Sequence, residues 1–493
     1  MIQKFGKTTC WIGLLLVLVA VLPHFRSKAV GLSYDEADYA LAARKGFVAN
    51  WLDLDQARQR RHFHGPLAVH LTGLSTVVFG KTEFAVRIFG RFFGILTVLL
   101  IYAGCTRLCR SGVLTGAIAA LLLAVMPTFV QVSFTSVMHS LAAFLIVICF
   151  FLCVLLLQQA KTVYLYLIAI SIGLLLSTIE YGFVVAGTVG LVLLFNKNPY
   201  LYIQFKPFRI TFSRHLFYAF FALVCMVMLI WPAGVLKLNL VRNLLYYFQY
   251  SQKGHPILFQ GQLIKHLPWW AYMYWFKQIS PVWLYIALAG LVTAMISFLK
   301  DRSNSFYRTL LIFMIVLLFA LFKQHIMSAR YAIYVLPFLS ILGAIFLISL
   351  RRYHKIYGTV ILILLLGVTL YTNWTTLKEY GQGVPGYKQA ANWLRQNAEK
   401  DDRILTWYKP VLEFYLDGFE NIYNYNSGNT SEKVMSLLKR GYFSYVIYYK
   451  NQRQRWPNDP GYEYITKHYN LVYVFEKENE EFLWLYAGSQ VLE

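Results

Sequence analysis

The sequence predicts an α-helical protein that crosses a membrane many times and ends in a water-exposed α/β domain. Its 493 residues have a mean hydropathy of +0.50, with 58% hydrophobic and 14% charged residues, outside the range of ordinary soluble domains. Apolar runs of roughly 18 to 25 residues, long enough to cross about 30 Å of hydrocarbon, recur between residues 8 and 374. After Leu377 the chain becomes charged and tyrosine-rich and carries most of the acidic residues.

The net charge of +23 is explained by basic residues that orient the chain in the membrane. Most Lys and Arg side chains outside the tail flank apolar runs, as expected of residues that fix loops on the cytoplasmic side. Nucleic acid is therefore not an expected partner. The six cysteines all lie in or beside apolar runs, a distribution that predicts neither a disulfide framework nor a zinc site.

The basic loops also predict the number of spans. If all of them are cytoplasmic, two spans must lie between each consecutive pair. This gives about eleven transmembrane helices in the inner (plasma) membrane, with the N-terminus in the cytoplasm and the C-terminus outside. The predicted spans are residues 10–25, 84–106, 113–134, 139–157, 163–179, 181–195, 215–235, 281–299, 306–322, 331–350 and 356–374. The segment Pro66–Gly80 is too short to span and is predicted to be an interfacial helix.

Two domains follow from this pattern. Residues 1–376 form the membrane domain, whose first external loop (26–83) holds interfacial helices, and residues 377–493 form an extracytoplasmic α/β domain. Within the second domain the periodicity predicts helices at 386–398, 410–416 and 431–439 and strands at 403–408, 422–425, 445–449, 469–475 and 482–486. The domain has no glycine-rich phosphate loop, and we expect a structural or acceptor-docking role for it.

Acidic residues are unevenly distributed in the apolar part of the chain. Glu180 is the single acid between Glu83 and Asp301, and most of the others lie in one stretch that begins at Gly31 and contains Asp35 and Glu36. Carboxylates placed against a membrane are costly and are functional candidates. The predicted topology puts this stretch, the turn around His64 and the turn at Glu180 on one external face. The sequence therefore predicts a site at the outer membrane surface.

Several motifs, in the right order along the chain, resemble the GT-C glycosyltransferases. Within that group they are most similar to the bacterial relatives of dolichyl-phosphate-mannose protein mannosyltransferases and to the lipid A aminoarabinose transferase. The motifs are Tyr34-Asp35-Glu36-Ala37-Asp38-Tyr39-Ala40, His64-Gly65-Pro66-Leu67, Phe79 to Arg87, Gly254-His255-Pro256, Pro268 to Tyr272, Arg330-Tyr331 with Leu336-Pro337, and Gly386 to Leu394.

The resemblance implies a GT-C fold and sugar transfer, with inversion, from a polyprenyl-phosphate-linked donor to a lipid, glycan or protein acceptor. A lipid phosphate is already a good leaving group, so such an enzyme mainly needs a base for the acceptor. In the family this role falls on the first acid of the pair, here Asp35. Glu36 would orient the acceptor or tune Asp35. The alternative is that both acids simply cap an interfacial helix.

For the leaving phosphate, the resemblance points to Arg330, whose planar donor fork suits phosphate, together with Tyr331. Arg87 matches an arginine of the family that either braces the Asp35 loop or contacts phosphate. Lys323 and His255 are further candidates for binding the lipid donor. For Arg330 the alternative is a flanking residue whose charged end reaches toward the interface.

Two departures from the family pattern bear on the acceptor and on a metal. His139 stands where many relatives carry an acid, and Glu180 stands where many carry Lys. His62, His64, His139 and Glu180 are therefore candidates for an acceptor or metal site, and the need for a divalent cation stays open. As the lone acid of its region, Glu180 is expected to pair with Arg87, Lys323 or Arg330.

Two other classes of function remain. A lipid-linked substrate transporter or flippase would show internal repeats and polar groups in the middle of the spans. Here the polar residues gather at the outer ends of the spans, and no repeat is evident. A noncatalytic scaffold for envelope glycans is the other alternative, which the two departures favour and which intact Asp35 and Arg330 oppose.

Overall fold

A computed structural model describes residues 7–26, 31–52, 64–109, 112–135, 137–195, 201–205, 208–253, 257–323, 329–379, 386–425, 431–450, 459–477 and 480–488. The chain divides into two compact units. The first comprises Met1–Ser27, Lys45–Phe259 and Ile264–Tyr380. The second comprises Lys28–Arg44, Gln260–Leu263 and Gly381–Glu493. A stretch of the predicted first external loop therefore groups with the C-terminal residues.

The first unit is built from helices. Its early helices are α1 (Lys7–Arg26), α3 (Phe47–Leu52), α4 (Leu67–Phe79), α5 (Glu83–Leu108), α6 (Gly112–Ala124), α7 (Pro127–Thr135), α8 (Val137–Gln159), α9 (Thr162–Leu176) and α10 (Tyr181–Phe195). Its later helices are α11 (Arg214–Ile230), α12 (Pro232–Leu236), α13 (Asn239–Lys253), α14 (Ala271–Ile279), α15 (Pro281–Lys300), α16 (Ser305–Phe322), α17 (Ala329–Ala332), α18 (Leu336–Tyr353) and α19 (Lys355–Glu379). The helix α2 (Tyr34–Arg44) belongs to the second unit.

Short strands interrupt this helical order. The predicted cytoplasmic segment between Lys197 and Arg214 contains the hairpin β1 (Leu201–Phe205) and β2 (Phe208–Phe212), which pair antiparallel with Ile203 opposite Ile210. Two strands of three residues follow later, β3 (Ile257–Phe259) and β4 (Gln262–Ile264).

Six helices of the described residues are long and apolar enough to cross a membrane: α5, α8, α15, α16, α18 and α19. The bent pair α6 and α7 raises the number to seven if it forms one span. Shorter apolar helices lie at Trp11–Leu22, Leu67–Phe79, Thr162–Leu176, Tyr181–Phe195 and Arg214–Ile230. The protein is thus an integral membrane protein, while the count of eleven spans and the orientation stay predictions.

Proline residues divide three of the predicted spans. The continuous span expected at 113–134 is wrong in detail, because α6 and α7 meet at an angle of 66° just before Pro127. Proline lacks the N–H that would continue the helix and disfavours helical geometry in the residue before it. The same chemistry ends α11 at Ile230, one residue before Trp231-Pro232, and places Pro337 in the first turn of α18.

Close approach between spans depends on small residues. A Cβ atom added at Gly290 of α15 would lie 2.0 Å from the carbonyl oxygen of Leu342 in α18. Only glycine allows the two backbones to come so near. Helices in lipid gain little from apolar contact alone, so this kind of backbone approach is a main source of their association.

The second unit contains the α/β fold expected at the C-terminus. Its elements after residue 381 are α20 (Tyr387–Asn397), β5 (Ile404–Thr406), α21 (Lys409–Tyr415), β6 (Ile422–Asn424), α22 (Ser431–Lys439), β7 (Tyr445–Tyr449), α23 (Pro460–His468), β8 (Asn470–Lys477) and β9 (Glu480–Ala487). The strands form one sheet in the order β6-β5-β7-β9-β8. Strand β5 pairs parallel with β6 and β7, and the other two pairings, β7 with β9 and β9 with β8, are antiparallel. The predicted helices and strands of this domain are each present in the structure, which adds one helix that the sequence did not predict, α23.

Candidate functional site

Asp35 and Glu36 lie in the first turn of α2. The helix starts with a reciprocal pair of hydrogen bonds: the backbone N–H of Glu36 donates to the hydroxyl of Ser33 (3.4 Å), and the backbone N–H of Ser33 donates to Oε2 of Glu36 (2.7 Å). This Ser-x-x-Glu arrangement is a capping box. Glu36 is accordingly buried, with 3% of its surface exposed.

The capping box separates the two acids structurally. Glu36 is held by the backbone at the start of its own helix, which is the capping alternative raised by the sequence. Asp35 directly precedes Glu36 in the first turn of α2 and is half-buried. The backbone N–H groups of a first helical turn favour negative side chains. Of the two carboxylates, Asp35 is therefore the better candidate for chemistry, and a tuning role for Glu36 stays a prediction.

In the first unit, His64 and Glu180 form a partly buried ion pair. The Nδ1–H of His64 donates to Oε2 of Glu180 at 2.7 Å, and Glu180 is only 4% exposed. The other oxygen of Glu180, Oε1, is buried without a hydrogen-bond partner among the described residues. The expectation that Glu180 pairs with Arg87, Lys323 or Arg330 is therefore wrong, because a histidine 116 positions earlier occupies that place.

Backbone contacts explain why His64 reaches Glu180. The N–H of Leu67 donates to the carbonyl of Ser177 at 3.0 Å, which ties the start of α4 to the turn that precedes Glu180. Gly65 lies directly against the same carbonyl, and a Cβ atom there would come within 2.1 Å of the Ser177 oxygen. A side chain at position 65 is thus excluded, and the close approach of the two turns carries His64 to the carboxylate.

This contact predicts that Gly65→Ala lowers stability. The new methyl group would meet a backbone oxygen that cannot move aside cheaply, so we expect a loss of about 1–3 kcal/mol in the free energy of unfolding. Thermal unfolding of the detergent-solubilised protein measures it. The matched control is Gly187→Ala in α10, where an added Cβ meets nothing within 4 Å. Equal midpoints for the two variants would contradict the close approach at Ser177.

The His64–Glu180 pair also predicts a pH dependence. Burial alone lowers the pKa of His64, but the charge of Glu180 and the hydrogen bond to it outweigh burial and raise the pKa above 6.5. The pair therefore contributes fully to the free energy of unfolding below pH 6.5, and this contribution is lost as the pH rises through the raised pKa of His64. Each unit of this rise corresponds to about 1.4 kcal/mol. We expect the difference in thermal unfolding midpoint between wild type and Glu180→Gln to shrink from about pH 6 to pH 9. A difference that does not change with pH would contradict the ion pair.

A second cluster of polar side chains, also in the first unit, lies around the buried His139. Its Nδ1 shares a hydrogen bond with the hydroxyl of Tyr334, 2.5 Å away, and its ring meets the ring of Tyr331 edge-on at 5.6 Å. The guanidinium of Arg330 lies 5.7 Å from the ring centre of Tyr331. The structure therefore brings together three residues predicted from sequence, His139, Arg330 and Tyr331, and adds Tyr334, which carried no sequence signal.

The remaining candidate cations have different surroundings. Arg87 is buried at 1% exposure, with Nη1 3.5 Å from Oε2 of Glu83 and its guanidinium 4.9 Å from the ring centre of Phe134. These contacts join Arg87 to the first turn of α5 and to α7, and a role in bracing the Asp35 loop or in contacting phosphate stays a prediction. Lys323 is exposed at the end of α16, with Nζ 5.7 Å from the ring of Phe319. His62 and His255 lie outside the described residues.

The side chains proposed as metal ligands are those of His62, His64, His139 and Glu180. Among the described residues, no group of three or more His, Cys, Asp or Glu side chains is arranged to hold a metal ion. His64 and Glu180 do meet, but the contact of His139 is with Tyr334. The need for a divalent cation therefore stays a prediction.

Part of the chain matches a known protein family. Residues 63–231 match the family model of dolichyl-phosphate-mannose-protein mannosyltransferase. A comparison with curated protein sequences gives no match.

Solved structures share the fold at low sequence identity. The oligosaccharyltransferase from Archaeoglobus fulgidus superposes with a TM-score of 0.64 at 14% identity, over 98% of this chain and 74% of its own. ArnT from Cupriavidus metallidurans gives 0.62 at 15% identity, over 97% of this chain and 98% of its own. The arabinofuranosyltransferase AftD from Mycobacteria gives 0.57 at 14% identity, over 99% and 40% of the two chains.

These solved structures include lipid and ion complexes. ArnT has been solved bound to undecaprenyl phosphate, and AglB from Archaeoglobus fulgidus with an inhibitory peptide and a dolichol-phosphate. The oligosaccharyltransferase from Archaeoglobus fulgidus has been solved with Zn and sulfate. The resemblance predicted from the motifs is confirmed: the chain is similar to the protein mannosyltransferase family over residues 63–231 and has the fold of the GT-C glycosyltransferases over nearly its whole length.

Proposed function

We propose that the protein is a membrane glycosyltransferase that moves a sugar from a polyprenyl-phosphate donor to an acceptor on the extracytoplasmic face. The match of residues 63–231 to the protein mannosyltransferase family carries this proposal. The fold shared with ArnT, which binds undecaprenyl phosphate in one of its structures, supports the same class of donor. Lipid, glycan and protein acceptors all agree with the family.

The proposed reaction is a single displacement with inversion. The carboxylate of Asp35 takes the proton from the acceptor nucleophile, which attacks the anomeric carbon of the donor sugar. The bond between that carbon and the phosphate oxygen breaks, and its electron pair leaves on the polyprenyl phosphate. Arg330 binds the charge that develops on the departing phosphate, with a planar fork of N–H donors suited to it.

The orientation in the membrane belongs to the same proposal. Positive loops on the cytoplasmic side place the N-terminus inside, and they place Asp35, Arg330 and the C-terminal α/β domain outside the inner membrane. A polyprenyl-phosphate sugar would reach the site from the lipid bilayer. Turnover of hexose-linked and pentose-linked donors distinguishes a hexosyl from a pentosyl transferase.

The test is turnover of lipid donors by the purified protein. Radiolabelled polyprenyl-phosphate sugars are supplied in detergent or vesicles, with and without EDTA, and the release of free polyprenyl phosphate is measured. We expect wild type to release polyprenyl phosphate. Loss of this release in EDTA would show that turnover needs a divalent cation. If no donor is turned over although lipid still binds, the protein is better explained as a lipid transporter or a noncatalytic scaffold.

A further inference from the structure

The helix that carries Asp35 is anchored ahead of its first turn by a distant tyrosine. The backbone N–H of Leu32, a fully buried residue, donates to the hydroxyl of Tyr415 at 2.9 Å. The two residues are 383 positions apart but belong to the same compact unit. A buried N–H needs a hydrogen-bond partner, and the Tyr415 hydroxyl supplies it one residue before the capping box at Ser33.

The other end of α2 is anchored to the same part of the fold. Nη2 of Arg44 donates to the carbonyl of Phe414 at 3.3 Å, and Nη1 lies 3.5 Å from Oδ1 of Asp417. The guanidinium also stands 5.1 Å from the centre of the Phe414 ring. Helix α21 and the residues just after it therefore hold α2 at its beginning and at its end.

This anchoring is needed because α2 is short. It has eleven residues, too few for an isolated helix to be stable in water. Its own capping box defines where the helix begins along the chain but cannot define where that turn lies in space. That location depends on contacts with another part of the unit. They include the hydrogen bond from Leu32 to Tyr415 and the edge-on contact between the rings of Tyr34 and Tyr408, whose centres are 6.3 Å apart.

We propose that Tyr415 is a positioning residue for the reaction: its hydroxyl, bonded to the N–H of Leu32, fixes the first turn of α2 and with it the carboxylate of Asp35. The inference rests on the proposed function, in which Asp35 is the base. Arg44 fixes the other end of α2 through its contacts with Phe414 and Asp417. The C-terminal domain thus contributes to catalysis by holding the loop that bears the base.

The test is Tyr415→Phe, which removes the hydroxyl and keeps the ring. We expect kcat to fall roughly 10- to 100-fold, the size typical of a small misplacement of a catalytic group, with the KM for the lipid donor within about twofold of wild type. Hydrogen exchange of the peptide that contains Leu32 should accelerate in the variant. Arg44→Gln should also lower kcat with little change in KM.

The matched control is Tyr445→Phe in the same unit. This change also removes one tyrosine hydroxyl with a backbone partner, because the hydroxyl of Tyr445 donates to the carbonyl of Asn397 at 3.0 Å. It leaves α2 untouched. An equal loss of kcat in both variants would show a general structural effect and overturn the proposal, as would faster exchange at Leu32 with unchanged kcat. Absence of turnover by wild type would refute the proposed function itself, whereas wild-type turnover with an unaffected Tyr415→Phe refutes only the positioning role.

Discussion

Asp35→Asn should abolish sugar transfer. The amide keeps the shape of the carboxylate but cannot accept a proton, so we expect kcat to fall by at least about 100-fold, within the range for loss of a general base. The change sits at a half-buried position beside an intact capping box, so the fold should be retained. Release of polyprenyl phosphate from a labelled donor measures the effect.

The matched control for this prediction is Asp38→Asn, one turn further along α2. Asp38 is also half-buried and belongs to the same helix, so the two variants lose the same charge in the same element. We expect Asp38→Asn to retain turnover within a few-fold of wild type. Equal loss in both variants would mean that the charge of the helix, and not a base at position 35, is required.

Arg330→Gln should weaken the use of the lipid donor. A hydrogen bond to a charged group contributes about 1.5–3 kcal/mol, so loss of the guanidinium should lower kcat/KM by roughly 10- to 100-fold. Arg330 is half-buried beside Tyr331, in the part of the first unit that also contains His139. Initial rates at increasing donor concentration measure the change.

Arg351→Gln serves as the comparison for Arg330. Arg351 is an exposed arginine in the last turn of α18, so its loss removes the same charge from the same protein. We expect donor use by this variant to stay near that of wild type. If donor use in Arg330→Gln matched that of Arg351→Gln, Arg330 would be a flanking residue and the phosphate-binding role would fail.

Much of this protein could be predicted from sequence because the relevant signals are local. Runs of apolar residues define the long helices, since the length needed to cross a membrane is written in consecutive positions. The breaks before Pro127 and Pro232 follow from the missing N–H of proline, a local signal that the predicted spans 113–134 and 215–235 do not take into account. The capping box at Ser33 and Glu36 is likewise a four-residue pattern.

The candidate site depended on contacts that no local pattern reports. The sequence by itself determined which residues were chemically available: the carboxylates near Asp35, the lone Glu180 and the arginine at 330. Only the tertiary structure decided that Glu180 pairs with His64, that His139 meets Tyr334, and that Leu32 binds Tyr415. These partners are 116, 195 and 383 positions apart. Their meeting depends on how helices pack and turns approach, as at Gly65, and therefore on the fold as a whole.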